Sequence, residues 1–294
     1  MNESADEGIA QLSIILPAKN EARSLQQLLP KILERFPAAE VIVVNDGSTD
    51  DTVEVCASLS VRLISHPYTM GNGAAIKTGA RTATGEVLVF MDADGQHQPA
   101  DISRLLRQIA HGYDMAVGAR SKASQASIWR GAANGLYNKM ASWMSRQRVD
   151  DLTSGFRAVR ARLFREFLHL LPNGFSYPTT ITMAFFRAGY TVTYVPIEAL
   201  KRTGKSHIRP LRDGIRFMII IFKIGTLYSP LKIFLPISLA HFTLGLGYYA
   251  YTFFTVHRFT NMSALLLSTG VVIFLIGLVS EQITVLIYKT GDST

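Results

Sequence analysis

A run of 24 residues without one charged side chain, Ile233 to Val256, restricts this chain more than any other feature. About 20 apolar residues suffice for a helix to cross a bilayer, so the run predicts a membrane span. After the polar break HRFTN at 257–261, a second apolar run opens at Met262, and Ser263 to Ser280 again carries no charge. Two spans joined by so short a turn return to the side they left, which predicts a transmembrane hairpin over 230–294, with spans near 233–256 and 262–287. Lys223, Lys232 and Lys289 flank its open end, whereas its turn holds only His257 and Arg258. That bias predicts an integral membrane protein whose remaining domain faces the cytoplasm, at the inner membrane if the source is bacterial. Glu281 falls inside the second run and reads as an interface residue or as a functional intramembrane carboxylate.

Mean hydropathy is +0.19, high for a soluble enzyme, and the excess lies after about residue 210. What precedes is a globular part. Thirty Lys and Arg against 22 Asp and Glu leave a net charge of +8, which suits anionic partners: phosphates, nucleic acid or an acidic lipid surface. The single Cys56 excludes an intrachain disulfide and a cysteine-based zinc site. The polar, acidic opening MNESADEGIAQ gives no expectation of a cleavable signal peptide.

Residues 12–120 alternate short apolar runs with helix-like stretches: LSIILP, 24–36, EVIVVN, 50–59, VRLISH, 73–83, EVLVFMD, 100–111 and DMAVGA. This alternation predicts an α/β fold, a mostly parallel sheet with helices on both faces. Such sheets bind ligands at the carboxyl ends of their strands. Polar residues cluster at those ends: Pro17 to Glu21, Asp46 to Asp51, Asp92 to Gln96, and Arg120. They are expected to line one pocket.

Two further segments read as amphipathic. Over 127–148, Leu136, Met140, Trp143 and Met144 recur at helical spacing among Arg130, Lys139, Arg146 and Arg148, as in an interfacial helix or a core helix. Over 209–229, Arg209, Arg212, Arg216 and Lys223 share one face against Leu211, Ile215, Met218 and Phe222, which predicts a helix lying in the headgroup layer. The globular domain is accordingly bounded at 1–208.

LPAKNEA at 16–22, VIVVNDGSTDDT at 41–52, MGNGAAIKTG at 70–79, MDADGQHQP at 91–99, VGAR at 117–120 and DLTSGFRAVR at 151–160 together resemble the family 2 glycosyltransferases of the GT-A (Rossmann-like) fold. The resemblance is narrower still to the polyprenyl-phosphate sugar transferases, the dolichyl-phosphate mannose synthase group and its bacterial two-span relatives. It covers almost the whole chain. No single motif suffices; their order and spacing carry it.

Asp92 and Asp94 straddle one residue at a strand end, so both carboxylates can approach one hard cation, with Gln96 able to add a carbonyl oxygen. Oxygen ligands suit Mg²⁺ or Mn²⁺, which neutralise a diphosphate leaving group. A solvated acidic turn is the bland alternative. Gly47 permits a tight turn after Asp46, and Asp50 and Asp51 can cap the helix that follows. The resemblance assigns Asp46 to the base or ribose of a nucleotide sugar, a GDP- or UDP-hexose, with Pro17, Asn20, Glu21, Gly47 and Ala93 in the same donor subsite. Lys77 reads as a phosphate contact or a surface lysine. KRTGKSHIRP at 201–210 resembles a loop that closes over the donor diphosphate, with Arg202 and Lys205 as contacts; a basic juxtamembrane segment is the competing reading.

For the acceptor, the resemblance places polyprenyl (dolichyl or undecaprenyl) phosphate against Arg120, Arg130 and Asn134. A lipid phosphate is already anionic and attacks without a general base, so it requires cations to hold it in line. Asp151 lies where relatives with hydroxyl acceptors place a catalytic base; here it can instead orient its neighbours or cap a turn. The expected function is metal-dependent, inverting transfer of one sugar to polyprenyl phosphate, with Asp94, Arg120, Arg130 and Asp151 as the catalytic group. The alternative is transfer to a lipid or glycan hydroxyl with Asp151 as general base. A processive synthase is disfavoured by the lack of Gln-x-x-Arg-Trp, and a catalytically dead sensor by the presence of Asp92, Asp94 and Arg120. The expected partners are the donor, the lipid and the membrane, with no nucleic acid; paired amphipathic helices also allow a homo-oligomer. Segment 172–183, PNGFSYPTTITM, is expected to help select the donor.

Overall fold

A computed structural model of the chain describes residues 11–120, 128–174, 176–198, 222 and 225–289, with side chains from residue 135 onward in the helix that begins at 128. It forms two compact units, Met1–His207 and Ile208–Thr294. Arg202 and Lys205, the loop at 201–210 and most of the predicted helix at 209–229 lie outside the described residues, as do the side chains of Arg130 and Asn134.

The first unit is a seven-stranded sheet in the order β3-β2-β1-β4-β6-β5-β7. Its strands are β1 Leu12–Ala18, β2 Glu40–Asn45, β3 Arg62–Ser65, β4 Val87–Phe90, β5 Met115–Arg120, β6 Arg157–Arg160 and β7 Val192–Ile197. Its helices are α1 Ala22–Arg35, α2 Thr52–Ala57, α3 Asn72–Thr82, α4 Ala100–Ala110, α5 Ile128–Ser145, α6 Ala161–Glu166 and α7 Tyr177–Ala188. The central strands are apolar on both faces, Ile14, Ile15, Leu16, Val43, Leu88 and Val89 being fully buried, as a parallel sheet sandwiched between helices requires. Helix α1 turns Leu25, Leu28, Leu29 and Ile32 inward, and α4 does so with Ile102, Leu105, Leu106 and Ile109.

Every pairing is parallel except those of β6, which runs antiparallel between β4 and β5 with Phe90↔Arg157 and Val117↔Arg157 in register. This strand was not expected. Because β6 is reversed, the residues leading into it, Asp151 to Phe156, arrive at the carboxyl ends of β4 and β5. The sheet also changes direction at β1, whose neighbours are β2 and β4. A crevice opens at such a switch point, outside the strand ends.

In the second unit, α8 Pro230–Val256 and α9 Asn261–Lys289 pack as an antiparallel pair, and both are long and apolar enough to cross a membrane. Only 11% and 17% of their most apolar windows are buried, so they are not core helices of a soluble fold. Small residues let them approach: a Cβ on Gly270 would lie 2.8 Å from Phe242, one on Gly277 2.6 Å from Phe234, and Ser238 Oγ donates to Gly270 O at 2.8 Å. Glu281 Oε2 accepts a 3.3 Å hydrogen bond from Leu231 N in the first turn of α8, one of the amides that a helix start leaves unsatisfied. That contact sets its carboxylate at the end of the hairpin rather than at mid-depth.

Candidate active site

Four strand ends meet at the switch point. A cavity of about 450 Å³ is lined by Pro17 and Ala18 at the end of β1, Lys19 and Glu21 after it, Asp46 after β2, Thr69 and Gly71 leading into α3, Asn72 and Ala75 in its first turn, and Asp92, Ala93 and Asp94 after β4. Six predicted donor-site residues therefore share one wall: Pro17, Glu21, Asp46, Asp92, Ala93 and Asp94. Asn20, Gly47, Lys77 and Gln96 do not line it among the described residues. A larger cavity of about 560 Å³ lies at the opposite ends of the strands, beside Arg160, Arg162 and Arg165, away from every predicted site residue.

Asp46 is more constrained than a ligand-facing carboxylate. Its Oδ1 accepts from Met70 N at 2.7 Å and from His66 Nδ1 at 2.8 Å, and its Oδ2 accepts from Gly71 N at 2.9 Å. Burial disfavours its charge, yet His66 and the two amides outweigh this and hold the carboxyl below the usual Asp range. Asp46 thus latches the loop that opens α3. Asn20, in the left-handed region at φ 56°, accepts from Thr49 N at 2.8 Å through Oδ1, so it ties the first loop to the second. Of the two predicted capping acids, Asp50 takes both Thr52 N at 3.2 Å and Ala22 N at 3.1 Å, whereas Asp51 makes no side-chain cap.

Lys77 Nζ donates to Leu171 O at 3.1 Å and to Asn173 Oδ1, which directs the ammonium to the 171–173 loop rather than to the cavity. Partial burial and the nearby Arg81 lower its pKa. The same loop meets the start of α3, where Ala74 N donates to Asn173 O at 2.9 Å and a Cβ on Gly73 would overlap Pro172 O. Segment 172–174 therefore shapes the cavity from behind.

Asp92 and Asp94 follow β4 on a bend made by Gly95 at φ 73°. Gln96 N donates to Asp94 Oδ1 at 3.1 Å, so Gln96 meets Asp94 through its backbone. The Asp92 side chain is 37% exposed at the cavity but rests on protein below. Crowding, reinforced by the Asp94 charge and opposed by His97, Arg120 and Asn72, raises its pKa. His97 is buried, stacks on Phe156 with centroids 4.8 Å apart and brings Nε2 to 3.9 Å from Asp92 Oδ2. Among the described residues no three His, Cys, Asp or Glu side chains converge as a closed metal cage. Two carboxylates on an open loop nonetheless fit a Mg²⁺-like ion, which is ordinarily held by one or two carboxylates plus substrate phosphates.

Arg120 and Asp151, on β5 and the approach to β6, do not line this cavity among the described residues, but they form a second wall beside it, where the Arg120 charge acts on Asp92. Arg120 Nε donates to Asp151 Oδ2 at 2.8 Å and its Nη2 to Asp151 Oδ1 at 3.0 Å and Thr153 Oγ1 at 2.7 Å. Asp151 also accepts from Arg120 N at 3.3 Å and from Thr153 N and Oγ1, both at 3.1 Å. Burial disfavours the Asp151 charge, but these bonds and the Arg120 charge prevail and hold the carboxyl below its ordinary value. For Arg120, burial is likewise outweighed by Asp151, and its pKa rises.

The family profile described as Glycosyl transferase family 2 matches residues 13–169. The chain belongs to glycosyl transferase family 2. A second profile, the GtrB C-terminal hairpin, matches residues 229–286 of this family 2 member. Relatives include the undecaprenyl-phosphate 4-deoxy-4-formamido-L-arabinose transferases of Yersinia enterocolitica serotype O:8 and Yersinia pestis strain Pestoides F, each 30% identical over 200 residues. Those alignments span 60% of this chain and 60% of the length of each relative. In fold it resembles the glucosyl-3-phosphoglycerate synthase of Mycobacterium tuberculosis, solved with Mn²⁺ and UDP-glucose, at TM-score 0.60 and 21% identity over 76% of this chain and 80% of that one. The GT-A architecture and the membrane hairpin expected from sequence are both present.

Sequence reasoning missed three contributors to the site: His97, Gly155 and Arg157. His97 and Arg157 stand within motifs already singled out, but nothing in their local sequence, a histidine between glutamines and an arginine in a four-residue stretch without pattern, marks them as buried.

Proposed function

We propose that this chain transfers one sugar from a nucleotide-diphosphate donor, a UDP- or GDP-hexose, to polyprenyl phosphate with inversion at the anomeric carbon. The observation that carries this reading is the saturation of Asp151: five hydrogen bonds from Arg120 and Thr153 leave the buried carboxylate committed to positioning a cation. An anionic acceptor needs such a cation and no base, whereas a hydroxyl acceptor needs a base within reach. The relatives' names, which specify undecaprenyl phosphate, support the same acceptor.

In this reading Asp92 and Asp94 hold Mg²⁺ or Mn²⁺ against the donor diphosphate, and the ion supplies charge neutralisation for the departing nucleotide. Pro17, Glu21, Asp46 and Ala93 shape the nucleotide end, Asp46 through the loop it latches. Asn20, Gly47 and Lys77 act one layer out, and Gln96 braces Asp94. Arg120 aligns the acceptor phosphate, joined by Arg130 and Asn134 from α5; Arg202 and Lys205 close over the diphosphate. Exposed Leu136 and Trp143 on α5 suit a lipid headgroup layer, with the catalytic unit on the cytoplasmic side. The test is to incubate membranes containing the full chain with a panel of labelled nucleotide sugars and extract the lipid. A product that is labile to mild acid and reverts to nucleotide sugar with excess nucleoside diphosphate is expected. An acid-stable product that cannot be driven backwards would establish a hydroxyl acceptor instead.

A further inference from the structure

Arg157 is fully buried, and each acceptor its hydrogen bonds reach is a carbonyl, a hydroxyl or a thioether. Its Nη1 donates to Pro178 O and Thr182 Oγ1, both at 3.2 Å, and lies 3.6 Å from Met115 Sδ; its Nη2 donates to Ser154 O. Among the described residues its Nε has no hydrogen-bond partner, and its guanidinium carbon lies 5.7 Å from the Tyr177 ring centroid. A guanidinium so placed carries a desolvation cost that an apolar side chain of similar volume would avoid. Core stability alone does not account for it.

We propose that Asp151–Arg157 is a positioning strap, anchored at its inner end by Arg157, that orients the acceptor-side Arg120 and the donor-side Asp92 together. One end of the strap grips Arg120 through Asp151. Its middle borders the other wall: a Cβ on Gly155 would lie 3.2 Å from Asp92 Oδ2 and 3.4 Å from Oδ1. A side chain there would press on the carboxylate, which would have to give by a fraction of an ångström. Tyr177 Oη donates to Gly155 O at 3.0 Å, and burial raises the phenol pKa, which keeps the hydroxyl a donor. His97, whose Nε2 lies 3.9 Å from Asp92 Oδ2, is stacked on the strap's Phe156. Arg157 fixes the turn by joining Ser154 O to Pro178 O and Thr182 Oγ1 of α7, so strap and helix cannot shift independently. Arg157 is thus a positioning residue that touches neither substrate.

The inference rests on the proposed metal and acceptor roles of Asp92 and Arg120, and the experiment separates the two levels. Full-length wild type, Arg157→Lys and Tyr177→Phe are compared by Mn²⁺ binding without donor, followed by electron paramagnetic resonance, and by the KM for polyprenyl phosphate. Loss of such an outer support typically weakens metal binding ~10-fold to 100-fold, and Arg157→Lys is expected in that range with a raised acceptor KM. Tyr177→Phe, which keeps the ring and loses only the bond to Gly155 O, should weaken Mn²⁺ in the same direction while kcat at saturating metal stays near wild type. A folded Arg157→Lys with wild-type Mn²⁺ affinity and acceptor KM overturns the strap. If Arg157→Lys does not fold, unchanged Mn²⁺ affinity in Tyr177→Phe overturns it. If wild type itself binds no Mn²⁺, the metal reading of Asp92 fails, and the acceptor KM of the two variants alone decides the strap.

Discussion

The two walls of the site use aspartate in opposite ways. On the donor wall, Asp92 is 37% exposed and aimed at a cavity, its charge opposed by burial and by Asp94. On the acceptor wall, the Asp151 side chain is only 6% exposed and is filled by Arg120 and Thr153. A carboxylate surrounded by protein donors has no lone pair to offer an incoming cation or proton, whereas a carboxylate short of donors is held ready for one. On the proposed reading, the contrast separates a cation-binding carboxylate from a cation-positioning one.

The sharpest way to break that contrast is to neutralise the open wall. Asp94→Asn should lower transfer by about 10²-fold or more, as removal of preorganised charge stabilisation does, while thermal stability stays close to wild type. Wild-type turnover by chelator-treated Asp94→Asn would sink the assignment. A smaller loss is expected at the rim. Arg130→Ala should raise the KM for polyprenyl phosphate by about 10-fold, the value of one charged hydrogen bond, and leave donor affinity measured by calorimetry unchanged. Equal loss of donor affinity would move Arg130 to the other wall.

Asp151→Asn sharpens the comparison from the closed side. Removing a general base typically costs about 10²-fold to 10⁴-fold, so activity retained above that range indicates a positioning role. The stability cost should be about 1–3 kcal/mol, because Arg120 loses its partner but remains 30% exposed to solvent. The smallest effect is in acid. Because the folded-state pKa of Asp151 is depressed, its stabilisation is present above the unfolded value near pH ~4 and is lost as pH falls through the folded value. The melting-temperature gap between wild type and Asp151→Asn should therefore be full at neutrality and close below pH ~4.

Legibility in the sequence followed local periodicity. Strands such as EVIVVN and helices such as 100–111 were readable because their burial is encoded in adjacent residues, and their bounds lie within two residues of β2 and α4. Only four residues long and bracketed by arginines, β6 carries too little pattern to be recognised. The hairpin was readable because a charge-free run has one physical use. At the site, the grouping of Pro17, Asp46, Asp92 and Asp94 was visible from strand ends, since parallel topology fixes where those ends lie. The engagement of Asp46 and Lys77 was not, because their partners Met70, Gly71 and Asn173 are brought close only by the folded loops.

The insertion of β6 has a consequence for how the chain acquires its shape during synthesis. β4 and β5 are made well before the strand that separates them, and until Arg157–Arg160 emerges each has a bare edge of amides and carbonyls facing a missing neighbour. A nascent chain halted before residue 157 would thus carry a four-stranded sheet, β3-β2-β1-β4, joined through α4 to a lone β5 whose partners β6 and β7 are both still missing, each a template for pairing with another copy. Closure of the sheet waits on a late, long-range contact, the slow kind of step. Truncations ending between β5 and β6 are expected to aggregate, while those ending after Ile197 should not.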